Sequence, residues 1–188
     1  MVAELGRQLD SWRALLPDAI QWRDDDRLRM DDEAMAPLRH EINSNTLAAE
    51  LRTRFHYARH MLYRPFVYKA LHFPELLSAE DIDYAFLAVQ AACLWPLFFP
   101  QPKDRKRLVP HLFAWTNGSI GVLLILRMSR VNETLRGVCE GRVSEQEIDQ
   151  TVGIILDWLD GIRRFDAIAE WAWTVFEPMF RVGDEIDS

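Results

Sequence analysis

Two histidines, His56 and His60, stand four residues apart in a helical pattern, a separation at which two imidazoles can share a metal ion. Neither has a carboxylate on the same face, no HExxH is present, and the neighbouring Arg59 repels a cation, so no metal site is assigned. One turn further on, Tyr63, Arg64 and Pro65 bring a phenol and a guanidinium to a step where proline should break or kink the helix. Arg64 then either donates to the freed carbonyls or to a buried carboxylate, or it anchors a ligand. A second polar group, His111, Trp115 and Asn117, opens a later apolar helix in which Arg127 follows six apolar residues and either needs a buried partner, with Asp157 in IILDWL the expected one, or lies at the rim. Trp95, Trp115, Asn117 and Trp171 form a ligand-lining set if the helices enclose a cavity, and ordinary core packing if they do not. Should the chain be an enzyme, His60, Tyr63, Arg64, His111 and Arg127 are the residues to carry acid, base or hydrogen-bonding roles.

The elements that must position these groups read as helices. Leu5, Leu9, Trp12 and Leu16 recur at helical spacing from about Val2 to Leu16, where Pro17 stops them. Asp18 to Asn45 carries DDDRLRMDDE with little periodicity and reads as an acidic connecting loop. From about Thr46, Leu47, Leu51, Phe55, Ala58 and Leu62 make one apolar stripe, which assigns Arg52, His56, Arg59 and Tyr63 to the opposite side. Ser78 with Asp81 forms a capping box for a helix through Leu97, apolar almost all round and therefore central. A proline-interrupted basic loop follows, in which Lys103, Arg105, Lys106 and Arg107 read as solvation or as a short nuclear-import signal.

Pro110 is placed to start the next helix, and Gly118 and Gly121 would admit a close neighbour there. Ser144 and Glu147 cap a helix carrying Ile148, Val152, Ile155, Leu159 and Ile162, and Asp166 starts a tryptophan-rich helix reaching about Phe180. No strand-like alternation or internal repeat interrupts this series. The expected fold is all-α, an irregular bundle of five to seven helices in one domain over residues 1–188, with an N-terminal helix and acidic loop at 1–45 and a core bundle at 46–182.

Composition narrows the function. A hydrophobic content of 49% and seven tryptophans exceed what a disordered segment carries, and a net charge of -7 opposes binding to a phosphate backbone. Cys93 and Cys139, set in apolar surroundings, read as reduced thiols of an intracellular protein. The longest apolar run near the middle falls short of the roughly 20 residues a membrane helix needs, and the N-terminus lacks a signal-peptide core. No phosphate loop, dinucleotide fingerprint, Ser-His-Asp order or pair of catalytic carboxylates occurs, which excludes a hydrolase or kinase reading.

Three separated motifs carry a family resemblance. SWRALLPDAIQWRDDD from Ser11 resembles a WR-x-x-LP-x-x-x-x-W entry, LRTRFHYARHMLYRPFVYKALHFP from Leu51 resembles an RY-aromatic-YAR-aromatic segment, and IAEWAWTVFEPMF up to Phe180 resembles an AEW-x-W closing helix. With KRLVPHLFAWTNGSIGVLLILRMSR, they make the chain similar to the C-terminal helical region of fungal transcription factors whose DNA-binding module is a six-cysteine binuclear zinc cluster. His56 and His60 then stand where relatives carry rings. Two cysteines cannot build that cluster, so the chain is not expected to bind nucleic acid directly.

The resemblance implies a regulatory, effector-sensing and interaction module, with a protein partner or a second copy of the chain bound and the nucleus as its compartment. If residues 1–188 are instead a stand-alone relative in the cytoplasm, a tryptophan-rich cavity would bind and convert a small hydrophobic metabolite of fungal secondary metabolism. That enzyme would work without a cofactor, by shaping and hydrogen bonding, as a cyclase, pericyclase or isomerase.

Overall fold

Leucines at helical spacing wind the N-terminal segment into α1 (Val2–Ala14), after which Pro17 turns the chain into a single 3-10 turn, Asp18–Ile20. The computed structural model describes residues 1–22, 46–98 and 112–181. Among them are seven α-helices and no strand, so the fold is all-α as expected. They group into two compact units, Met1–Phe99 and Pro100–Ser188. No helix among the described residues is long and apolar enough to cross a membrane.

In the first unit α1 is followed by α2 (Thr46–His72), a 3-10 turn (Pro74–Leu76), α3 (Ala79–Leu94) and a final turn, Trp95–Phe98. Helix α2 lies against α3 in the unit's main contact, and the small residues Ala70, Ala85, Ala88 and Ala92, all without exposure, let the two backbones come close. The capping box forms as predicted: Asp81 N–H donates to Ser78 Oγ at 3.2 Å, and Ser78 N–H donates to Asp81 Oδ2 at 2.8 Å. Lys69 Nζ reaches the same carboxylate at 2.8 Å, and with the two Ser78 donors it holds the Asp81 carboxyl down at about 2. One side chain thereby closes α3 and ties it to the last turn of α2.

Two sequence expectations are corrected in α2. Pro65 does not break the helix, which runs through it to His72, so Arg64 is helical rather than extended. Proline removes the donor that would serve the Met61 carbonyl, yet burial on both sides of the step, at Tyr63 and Val67, holds the helix together. The side of the helix opposite the apolar stripe is also covered. Arg52, His56, His60 and Tyr63 are buried together with Phe55 of the stripe, while Ala58 is exposed, because α1, Trp22 and α3 lie over that side.

The second unit consists of α4 (Leu112–Val131), α5 (Glu133–Cys139), α6 (Glu145–Ile162) and α7 (Ala167–Arg181). Its caps are local and legible. Asn132 Oδ1 accepts the Leu135 N–H, Ser144 and Glu147 form the second capping box, and Asp166 Oδ1 accepts the N–H groups of Ile168 and Ala169. Gly141 has φ +69° in the turn after α5, a conformation that side-chain-bearing residues rarely adopt. Ile148, Val152, Ile155, Leu159 and Ile162 are all buried as predicted, on a helix that packs against α4 and α7, where Leu123, Leu126 and Phe176 are buried too. At Gly121 an added Cβ would meet nothing within 4 Å, so the close approach predicted there is absent.

Candidate functional site

The WR-x-x-LP-x-x-x-x-W entry folds back on α2 through its charged and aromatic members. Arg13, on the last turn of α1, donates from Nη2 to the Trp22 carbonyl at 2.7 Å. Its guanidinium lies 5.2 Å from the Trp22 ring centre and 5.3 Å from that of Phe55, so one cation covers two aromatic faces. Trp12 stacks on Phe55 at 6.3 Å, and Trp22 meets Phe55 edge-on at 5.5 Å and His56 at 6.4 Å. Arg52, almost wholly buried, sits 5.6 Å from the Trp22 ring. The first two motifs of the sequence thus build one aromatic and cationic cluster.

Beside this cluster opens a cleft of about 340 Å³ lined by Asp10, Arg13, Ala14, Gln21, Trp22 and Arg59. Its charges are one carboxylate against two guanidiniums, a local positive excess on a chain of net charge -7. Two of its polar groups are unmatched. The Trp22 indole N–H is buried with no acceptor among the described residues, and the exposed Asp10 carboxylate has no hydrogen bond or ion pair among them. Below the cleft, burial pushes the Tyr63 phenol up, with the nearby Arg59 charge opposing and the Asp10 charge reinforcing that shift.

The residues singled out in the sequence have varied positions. His60 is buried on α2 and its Nδ1 donates to the Ala88 carbonyl at 3.1 Å, which fixes the tautomer because a carbonyl only accepts. Desolvation lowers its pKa below 6.5, the carbonyl bond opposes that, and the Arg64 charge adds to it. Tyr63 stacks on Tyr84 at 5.2 Å and faces Gly6 of α1. Arg64 is exposed and bonds to no carbonyl or carboxylate among the described residues. Trp95 is buried against Tyr57 at 5.3 Å.

The other candidates belong to the second unit. Trp115 is half-buried against Trp158 at 5.9 Å, Asn117 is exposed, and Trp171 is 55% exposed on the outer side of α7. Arg127 is half-buried and Asp157 is exposed, without the expected ion pair between them. The arginine of α4 that finds acids is Arg130, one turn on, bonded to Glu145 at 2.8 Å and Asp149 at 2.5 Å on α6. His111 lies outside the described residues, as do the basic loop and the DDDRLRMDDE segment. Among the described residues no group of histidine, cysteine and acidic side chains is arranged to hold a metal ion.

The cleft residues Asp10, Arg13, Gln21, Trp22 and Arg59 were missed as a site. The available signal was the spacing of Trp12, Arg13, Pro17 and Trp22, which delivers an arginine and an indole to one place once Pro17 reverses the chain. Searches against protein-family models, curated proteins and solved structures find no match to this chain.

Proposed function

We propose that this chain is an effector-sensing and interaction module of a transcription regulator, of the kind that ends fungal zinc-cluster factors, and that it does not bind DNA by itself. The observation that carries this reading is the closure of the tryptophan-arginine entry onto α2 around Arg13, Trp22 and Phe55, with a ligand-sized cleft at the seam. A module that reports an effector needs a small-molecule site resting where two elements meet, so that occupancy changes their contact. The α1 and α2 seam has that form. A cyclase or isomerase would instead require His60, Tyr63 and Arg64 to converge on substrate, and His60 already serves the Ala88 carbonyl while Arg64 points to solvent.

A second copy of the chain is the protein partner that the surface of α7 fits. Phe165, Ile168, Trp171 and Met179 are all exposed and, with the half-buried Val175, run along one side of it.

The test is to fuse the full chain to an unrelated DNA-binding domain and follow a reporter in a fungal host. The fusion should shift reporter output relative to the DNA-binding domain alone, and Arg13→Ala should abolish the shift while the fusion remains folded and abundant. Reporter output equal to that of the bare DNA-binding domain rejects the reading.

A further inference from the structure

The face of α2 under α1 is covered far better than α1 itself. Of Val2–Ala14 only Gly6 is buried, Val2, Leu9 and Arg13 are half-buried, and every other residue is exposed, Leu5 and Trp12 among them. With the half-buried Leu16, the covered positions 2, 6, 9, 13 and 16 advance in steps of four and three, the seam of one helix laid along another. Only Val2, Leu9 and Leu16 bring an aliphatic side chain to that seam. On the α2 side Arg52, Phe55, His56 and Tyr63 are all buried. The two helices run antiparallel, with Gly6 at Tyr63 and Trp12 and Arg13 at Phe55.

A helix of 13 residues is marginal on its own in water, so α1 depends on its seat, and few buried apolar contacts mark the part of a fold that opens first. Opening α1 uncovers the Phe55 ring and the Tyr63 phenol, which then favour any other helix able to cover them. The way α1 is seated says what such a helix must carry. Opposite Tyr63 there is room for no side chain, because a Cβ at Gly6 would overlap the hydroxyl. Three positions on stands an aliphatic residue, Leu9, and then a flat ring and a cation lie over Phe55, as Trp12 and Arg13 do now.

We propose that this face of α2 is a docking site for an amphipathic helix of a partner protein, and that α1 is a strap which occupies the site until the partner displaces it. The partner helix carries a glycine, an aliphatic residue three positions on, and an aromatic residue followed by arginine at positions six and seven. This inference names the partner surface of the interaction module proposed above and so rests on that reading. Trp22, packed on Phe55 and His56, stays with the seat. The neighbouring cleft is lined by Asp10, Arg13 and Ala14 of α1 as well as by Trp22 and Arg59, so a molecule filling it holds the strap closed and opposes the partner.

The probe is a fluorescently labelled synthetic peptide of residues 1–16, titrated with the full chain and followed by anisotropy. In the parent chain its binding is reduced by the fraction of seats that α1 already fills. The full chain carrying Gly6→Ala, whose own α1 no longer fits, should bind the peptide at least ~10-fold more tightly than the parent. A peptide carrying Gly6→Ala should bind that same chain ~10-fold more weakly, against its higher helix propensity, because the added methyl meets Tyr63. Hydrogen exchange on the parent chain needs no variant: the amides of α1 should exchange at least ~10-fold faster than those of α2 between Phe55 and Tyr63. Exchange of α1 no faster than that of α2, no peptide bound to the variant chain at millimolar concentration, or binding indifferent to Gly6 of the peptide overturns the proposal. A dimer of the parent chain that the peptide dissolves overturns the separate partner and gives the seat to α1 of a second copy. The reporter fusion distinguishes the two failures: an active fusion whose chain binds no peptide removes the docking site alone, and peptide binding with an inert fusion removes the regulatory reading alone.

Discussion

At the residue scale the most consequential placement is His60, an ionisable ring in the α2 and α3 core with its one proton committed to Ala88. Desolvation lowers its pKa in the folded chain, so the unfolded chain binds a proton more readily. The stability that depends on a neutral ring is therefore complete above the unfolded value of 6.5 and is lost as pH falls below it. Thermal unfolding followed by circular dichroism should give a melting temperature that drops from pH 7.5 to pH 5.5. His60→Gln keeps a donor near the Ala88 carbonyl without a titrating ring, and should flatten that drop. An unchanged drop in the variant would assign the acid sensitivity to other groups. The sequence displayed His60 as a chemical candidate, and nothing in its spacing distinguished a core histidine from a reactive one, since that difference lies in an α3 carbonyl 28 residues further along.

At the scale of elements, capped helix starts and the inward face of α6 were legible, while the course and the buried face of α2 were not. The Ser78, Ser144 and Asp166 caps lie where their side chains predict, because a cap is settled within four residues of chain. The burial of Arg52 and His56 depends instead on α1 and Trp22 returning to cover α2, and the stripe of Leu47, Leu51 and Leu62 gave no sign of it. The α1 docking rests on one glycine. A methyl group at Gly6 would overlap the Tyr63 hydroxyl, and Tyr63 cannot yield because it is buried and stacked on Tyr84. Gly6→Ala gains roughly 1 kcal/mol of helix propensity and loses roughly 1–3 kcal/mol to overpacking, and overlap with the hydroxyl and tight contact with the Cζ of Tyr63 set the loss at the upper end, so the sum is destabilising. Melting temperature should fall by a few degrees and return in the Gly6→Ala, Tyr63→Phe double variant, where the clashing oxygen is gone. A single variant as stable as the parent, or a double variant without rescue, would place the α1 contact elsewhere.

At the scale of the whole molecule, the all-α class followed directly from unbroken helical periodicity, while a length of 188 residues, which suits a single core, did not reveal the grouping into two compact units. The division falls at the proline-interrupted basic stretch after Phe99, which the sequence marks as a connection but not as a boundary. Several large apolar side chains stay exposed, among them a group on α7. Water around Phe165, Ile168, Trp171 and Met179 would be released by pairing, at about 25 cal/mol per Å² of apolar surface covered. A net charge of -7 on each copy opposes association at long range, and salt weakens that repulsion without touching the apolar gain. Association should therefore strengthen as salt is raised. Light scattering across a concentration series is expected to pass from monomer to dimer mass, at lower concentration in 0.5 M than in 0.05 M sodium chloride. Trp171→Glu, at a site 55% exposed, should leave the melting temperature of the isolated chain nearly unchanged and hold the mass at that of the monomer. A clean monomer for the parent chain at every concentration would remove the second copy as the partner and return the α7 stripe to a different protein.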